Sequence, residues 1–211
     1  MMKSTPLEKL FNKYNTDKSK KHGYHKVYEK YFEPYKKQKI KILEVGVWEG
    51  ASTLALHEYF DCAEIYGIDI FERFPMESIK PYSFERCQFL EGDSMKKDIA
   101  KKVQEKWGDI CFDIIVDDGK HTPRANMKTF KNLSQFLSDD GQYFIEDIWP
   151  LHKMTITELD HYWLKKKPHE YNTTINNEFL TTLENSNMKI EKFDLRRTSG
   201  QPDSYIIRLT K

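Results

Sequence analysis

Cysteine is scarce in this 211-residue chain, and Cys62, Cys87 and Cys111 are odd in number, far apart and outside any C-x-x-C spacing. Neither a disulfide framework nor a zinc site is therefore implied, and three reduced thiols are expected. An excess of either charge is also missing, with 34 Lys and Arg against 33 Asp and Glu. That balance argues against a surface built to track a polyanion, nucleic acid included. No apolar run reaches the ~18 residues of a membrane span, and Met1 to Leu10 lacks the apolar region of a signal peptide, so a cytoplasmic protein is expected. The two usual phosphate cradles, G-x-G-x-x-G and G-x-x-x-x-G-K-[ST], do not occur. Internal repeats and low-complexity linkers are missing too. The whole length, 1–211, is expected to form one domain with residues 1–38 as an N-terminal helical cap, since 38% hydrophobic and 14% aromatic content suffices for a substantial core.

What is present centres on Lys41-Ile-Leu-Glu-Val-Gly-Val-Trp-Glu-Gly50. Ile40, Ile42, Leu43, Val45 and Val47 form the apolar run of a strand covered on both faces, which is usually parallel and central. Gly46 and Gly50 let the backbone turn tightly, and Ser52 or Thr53 is placed to cap the next helix. Glu44 stands inside the strand end. An acid beside a nest of N–H groups suits a cationic ligand without phosphate, and S-adenosylmethionine is such a ligand. The alternative is an ordinary glycine-turned strand-to-helix unit.

Upstream, Leu7, Leu10, Phe11 and Tyr14 form the stripe of an amphipathic helix, and Tyr24, Val27, Tyr28, Tyr31, Phe32 and Tyr35 form a second one. Between them, Asn15 to Gly23 reads as a loop. It is either a solvated connection or, through Asp17, Lys18, His22 and Tyr24, a closure over a ligand.

Downstream, strands are expected over Glu64–Ile70, Cys87–Asp93, Phe112–Val116 and Gln142–Asp147, each ending in acid. Ser94 is a candidate N-cap for the helix carrying Ile99, Val103 and Trp107, and Thr122-Pro123 starts another helix. Asp139-Asp140-Gly141 reads as the turn into the fifth strand. Trp149-Pro150 ends that strand, His152 to Pro168 reads as a helix or lid, Thr173 to Ser186 as a helix, and Met188–Phe193 and Tyr205–Leu209 as strands joined by a connection over Arg196 to Asp203. Asp69 is positioned to accept both ribose hydroxyls of an adenosine.

A right-handed crossover brings the fourth and fifth strand ends side by side, so Asp117, Asp118, Glu146 and Asp147 share one cleft. Crowded carboxylates repel unless a cation joins them, and hard oxygen ligands favour Mg²⁺, Ca²⁺ or Mn²⁺ over zinc. Asp118, Glu146 and Asp147 are the expected ligands of Mg²⁺ or Mn²⁺. His121 beside them is the natural general base.

These pieces together resemble the metal-dependent class I methyltransferases that methylate sugar hydroxyls, similar to those acting on macrolide sugars. The matching segments are Thr16-Asp-Lys18 with His22-Gly-Tyr24, Leu43-Glu-Val-Gly46, Tyr66-Gly-Ile-Asp69, Phe112 to Gly119 with His121, and Phe144-Ile-Glu-Asp147. The resemblance implies a Rossmann-like α/β fold, a seven-stranded, mostly parallel sheet with the last strand antiparallel and helices on both faces. It also implies transfer of the methyl of S-adenosylmethionine to a sugar hydroxyl, free or nucleotide-linked, in polysaccharide, capsule or antibiotic sugar biosynthesis. Carried over by position, Glu44, Gly46 and Gly50 border the methionine end of the cofactor, with Ser52 at the head of the next helix. Asp69 takes the ribose, and Asp93 with Ser94 the adenine. Asp117, and Thr16, Lys18 and Tyr24 from the N-terminal segment, add contacts. Two departures stand out. Lys120 replaces a residue that is more often small, and the extra N-terminal domain of the larger macrolide enzymes is missing, which leaves a homo-oligomer open. The competing readings are a metal-independent small-molecule methyltransferase and a non-catalytic cofactor-binding scaffold.

Overall fold

The computed structural model describes residues 5–211, so the first four positions of the expected N-terminal cap lie outside the described residues. Helix α1 (Pro6–Lys13) starts in a reciprocal cap, in which Thr5 accepts from the Glu8 amide and Glu8 reaches back to the Thr5 amide. A single turn, α2 (Asp17–Lys20), stands where a plain loop is expected, and α3 (His25–Phe32) follows.

The alternating core of the chain then begins: β1 (Lys41–Val45), α4 (Ala51–Tyr59), β2 (Glu64–Asp69), β3 (Cys87–Glu91), α5 (Ile99–Trp107), β4 (Phe112–Asp117), α6 (Pro123–Leu133) and β5 (Leu137–Ile145). Two short helices, α7 (Ile156–Leu159) and α8 (Tyr162–Lys166), precede α9 (Thr173–Glu184). The C-terminal part is β6 (Lys189–Asp194), a helical turn α10 (Arg196–Ser199) inside the expected hairpin connection, and β7 (Tyr205–Thr210).

The seven strands form one sheet in the order β3-β2-β1-β4-β5-β7-β6. Pairing is parallel from β3 through β5, and β7 runs antiparallel to both of its neighbours. The sheet is thus the expected one, with its last strand reversed. Period-two alternation divides the core. Ile42, Ile65, Phe89, Ile114, Val116 and Phe144 face α1, α3 and α4, whereas Leu43, Val45, Ile68, Ile115, Tyr143 and Ile145 face α5, α6 and α9. The strand order reverses between β1 and β4, and a crevice opens outside their carboxyl ends, where ligands of such sheets bind. Among the described residues no helix is long and apolar enough to cross a membrane.

Three local expectations are corrected. Asp139-Asp140-Gly141 is not a turn: β5 begins at Leu137 opposite Phe112, and the pairing then jumps to Ile114 opposite Gln142, so these polar residues bulge out of a continuous strand. Ser94 does not cap α5, which starts at Ile99 behind Asp98; its hydroxyl instead meets Thr129 Oγ1 at 2.8 Å. Neither Ser52 nor Thr53 caps α4. Gly50, at φ +82°, holds the cap position, and both hydroxyls donate to Glu44.

Candidate active site

The loop after β1 must pass close under the loop after β4. Gly46 adopts φ +87°, and a Cβ there would sit 2.1 Å from the Asp118 carbonyl oxygen, so only glycine fits. Glu44 lies on the face of β1 toward α4 and is fully buried. Burial pushes its carboxyl up from the usual range, while Lys18, Ser52 and Thr53 act in the opposite direction. Its two hydroxyl partners tie the strand to the first turn of α4, so Glu44 is an anchor beneath the glycine loop rather than part of the cleft wall.

The cleft has a volume of about 1110 Å³. Thr16, Lys18, Gly46, Ser52, Asp69, Asp93 and Ser94 line it, as do Asp118, His121 and Asp147. Tyr24, Glu44, Gly50, Asp117 and Glu146 are not on its wall. Gly50 packs instead toward Pro81, where a Cβ would approach Cγ to 2.6 Å.

Asp69, at the end of β2, accepts from the amides of Trp48 at 2.9 Å and Phe71 at 3.0 Å. Both donors are bulky residues in the left-handed region, at φ 55° and 49°. That strained backbone is tied to one carboxylate facing the cleft. Asp93 accepts from the Met95 amide at 2.9 Å. Asp117 forms the floor below, taking only the Gly119 amide at 3.3 Å and Asn126 Nδ2 at 3.4 Å. Burial raises its carboxyl to about 7.

At the other end of the cleft three acids and one histidine crowd together with a buried lysine. Lys18 Nζ, on α2, lies 2.6 Å from Asp118 Oδ2 and 2.5 Å from Glu146 Oε2, with the lysine 3% exposed. Burial alone would lower this ammonium, yet Asp118 and Glu146 hold it well above the ordinary lysine range. Tyr28 donates to Glu146 and Tyr24 to Asp147, so α3 braces both acids that follow β5. Burial pushes the carboxyls of Asp118 and Glu146 up, and the neighbouring Asp147 adds to the rise while Lys18 opposes it. His121 stands over the group, with Nε2 3.8 Å from Asp118 Oδ1 and Nδ1 3.9 Å from Asp147 Oδ2. Its buried Nδ1 has no hydrogen-bond partner.

One donor atom each from Asp118, His121 and Asp147 lies within 4.8 Å of the others. An excess of negative charge, hard oxygen donors and an orphaned imidazole nitrogen fit a divalent cation. Glu146, expected as a third ligand, is placed deeper, with its two oxygens on Tyr28 and Lys18. Lys18 and Tyr24, expected to contact the cofactor, make their hydrogen bonds to the acids. Sequence reasoning missed Tyr28 as a partner of Glu146, and Trp48, Arg73, Phe74 and Met95 on the cleft wall. The alternating aromatic stripe of α3 held a signal for Tyr28, whereas Arg73 and Phe74 sit in an irregular connection without periodicity.

Residues 43–148, half of the chain, match the model of a family described as "Methyltransferase domain". The mycinamicin VI 2''-O-methyltransferase of Micromonospora griseorubida is 28% identical over 151 residues, which are 68% of this chain and 36% of that protein. The L-olivosyl-oleandolide 3-O-methyltransferase of Streptomyces antibioticus is 30% identical over 159 residues, 69% of this chain and 39% of that one. The chain therefore spans little more than a third of the length of these relatives. A solved methyltransferase from the mycinamycin biosynthetic pathway, in complex with Mg, SAH and mycinamycin VI, has the same fold, with a TM-score of 0.69 at 21% identity over 99% of this chain and 55% of that one.

Proposed function

Because the chain belongs to the methyltransferase-domain family, we propose that it transfers the methyl group of S-adenosylmethionine to a hydroxyl of a sugar, free or nucleotide-linked. The observation that carries this reading is the convergence of Asp118, His121 and Asp147 on the wall of the same cleft that the glycine loop and Asp69 line. The sugar assignment draws on the relatives, whose names describe O-methylation of sugar units. A cytoplasmic setting belongs to the same proposal.

In this reading Asp69 holds the ribose, Asp93 and Ser94 border the adenine, and the backbone at Gly46 approaches the methionine end. S-adenosylmethionine, when bound, supplies an electrophilic methyl on sulfonium. Asp118 and Asp147, with Glu146 behind them, would hold Mg²⁺ or Mn²⁺, and such an ion would supply Lewis acidity that eases loss of a hydroxyl proton. His121 takes the hydroxyl proton at an imidazole nitrogen, and the carboxylates of Asp118 and Asp147 stabilise the imidazolium that forms. Residues 5–38 act as a cap: Lys18 and Tyr24 reach from them to the acids and fix their orientation, which aligns the hydroxyl with the methyl. Glu44 and Asp117 stay beneath the cleft and keep its two loops in register.

Lys18 favours one competing reading, a metal-independent transferase, since an internal ammonium already joins Asp118 and Glu146. A panel of free glycosides and nucleotide-linked sugars, read by mass spectrometry for a gain of one methyl with and without chelator, tests both. Methylation of a catechol or a protein side chain, and of no sugar, would end the sugar assignment.

A further inference from the structure

Beside the cleft lies a second chamber of about 340 Å³, lined by Met95, Lys120, Thr122, Arg124, His169 and Glu170. Met95 and Lys120 line both spaces, so the chamber opens off the cleft next to His121. Three of its six lining residues carry or can accept a positive charge. Arg124, in the first turn of α6, has no acceptor for its guanidinium among the described residues. Thr122 caps the same helix, whose dipole adds to the positive character of the chamber.

The single acid in the chamber is arranged to serve the bases. Glu170 Oε2 is 3.5 Å from Lys120 Nζ, which it holds toward the chamber, yet that oxygen is buried and has no hydrogen-bond partner. A buried acceptor is favoured by any group that donates to it. The next residue fixes the wall in place, because the Tyr171 hydroxyl donates to the His121 carbonyl at 3.2 Å. The chamber and the proton acceptor are therefore one mechanical unit. It combines Arg124 and His169, which have no acid partner among the described residues, with Lys120, which Glu170 pairs.

We propose that this chamber is an acceptor subsite for an anionic group, a phosphate or carboxylate carried by the sugar, with a neighbouring hydroxyl donating to Glu170 Oε2. The inference rests on the reading of the cleft as a sugar methylation site, and it specifies that the preferred acceptor is acidic: a sugar phosphate, a nucleotide-linked sugar or a uronic acid. Arg124 supplies a planar fork suited to either group, Lys120 a point charge between the two spaces, and His169 a further donor.

The test is a titration of the 211-residue chain followed by NMR at constant ionic strength, with inorganic phosphate, glucose 1-phosphate, glucuronate and methyl glucoside as probes. Saturable shifts are expected at the amides of residues 120–125 and the His169 ring for the phosphorylated probes, for glucuronate, or for both, and none for methyl glucoside. Comparing glucose 1-phosphate with glucuronate tells phosphate from carboxylate. Arg124→Gln should weaken the anionic probes about 10-fold or more, and Lys128→Gln, on the exposed side of α6, should change nothing. Equal binding of methyl glucoside, shifts confined to other surfaces, or an affinity in Arg124→Gln within about twofold of the wild type would overturn the subsite. S-adenosylhomocysteine binding, measured on each protein, reports folding. Its absence from the wild type would end the methyl-transfer reading while leaving the anion result to stand or fall by itself.

Discussion

Lys18 and Glu146 are separated by 128 residues and meet at 2.5 Å in a space that excludes water. The same ammonium reaches Asp118 at 2.6 Å. A residue of the N-terminal segment is thus the internal counter-ion of acids that follow two different strands. Coulomb attraction at such range offsets desolvation only while the geometry is kept, and removal of one partner leaves a buried charge uncompensated.

Lys18→Met should therefore be destabilised by about 3–5 kcal/mol when measured in chelator. Mg²⁺ should recover more stability in the variant than in the wild type, because a cation then replaces the missing charge. Urea unfolding with and without Mg²⁺ checks this. A variant as stable as the wild type in chelator would show that the ion pair contributes nothing.

Asp69 leads to a cofactor prediction. Its carboxylate is preset by the Trp48 and Phe71 amides, so Asp69→Ala should lose the ribose contact and also relax two strained residues. S-adenosylhomocysteine should bind the wild type with micromolar affinity and the variant about 10-fold or more weakly. NAD should not bind comparably, since neither glycine-rich phosphate motif occurs in the sequence. Calorimetry with the two ligands decides it, and tight NAD binding without S-adenosylhomocysteine binding would reverse the assignment.

Asp117 yields a pH prediction. Its folded carboxyl, raised by burial to about 7, keeps its proton while the unfolded group releases it near ~3.9. Stability from this group is complete below pH ~4 and is lost as pH rises to about 7, an effect on the order of 4 kcal/mol. Asp117→Asn should abolish that part of the decline, so the variant gains on the wild type between pH 5 and 8. Parallel unfolding curves at both pH values would show that Asp117 is not the group responsible.

The sheet was legible because its strands are nearly continuous apolar runs with acids at their ends, and period two divides Ile42 from Leu43 as it divides the two layers. The cleft lining was legible where a residue's position along a strand decides it, as for Asp69, Asp93 and Asp118. Glu44, Glu146 and Tyr24 were harder, because their side chains turn to partners from distant segments, and no local pattern encodes Ser52 and Thr53 on Glu44 or Tyr28 on Glu146. The bulge at Asp139-Asp140-Gly141 defeated a turn rule that is otherwise sound, since the neighbouring β4 supplies pairing on both sides of it.

Chelation and substitution of His121 separate the metal from the base. If Asp118, Glu146 and Asp147 serve a divalent cation, chelation should abolish turnover, Mg²⁺ or Mn²⁺ should restore it, and alanine at each position should weaken metal dependence while S-adenosylhomocysteine still binds. His121→Ala removes the proton acceptor that lies 3.8 Å from Asp118 and 3.9 Å from Asp147. Metal affinity should then largely persist while kcat falls by about 10² to 10⁴. An unchanged kcat in His121→Ala would make the histidine structural. A kcat lost together with metal affinity would make it a ligand, which is the role its distance to both carboxylates also permits.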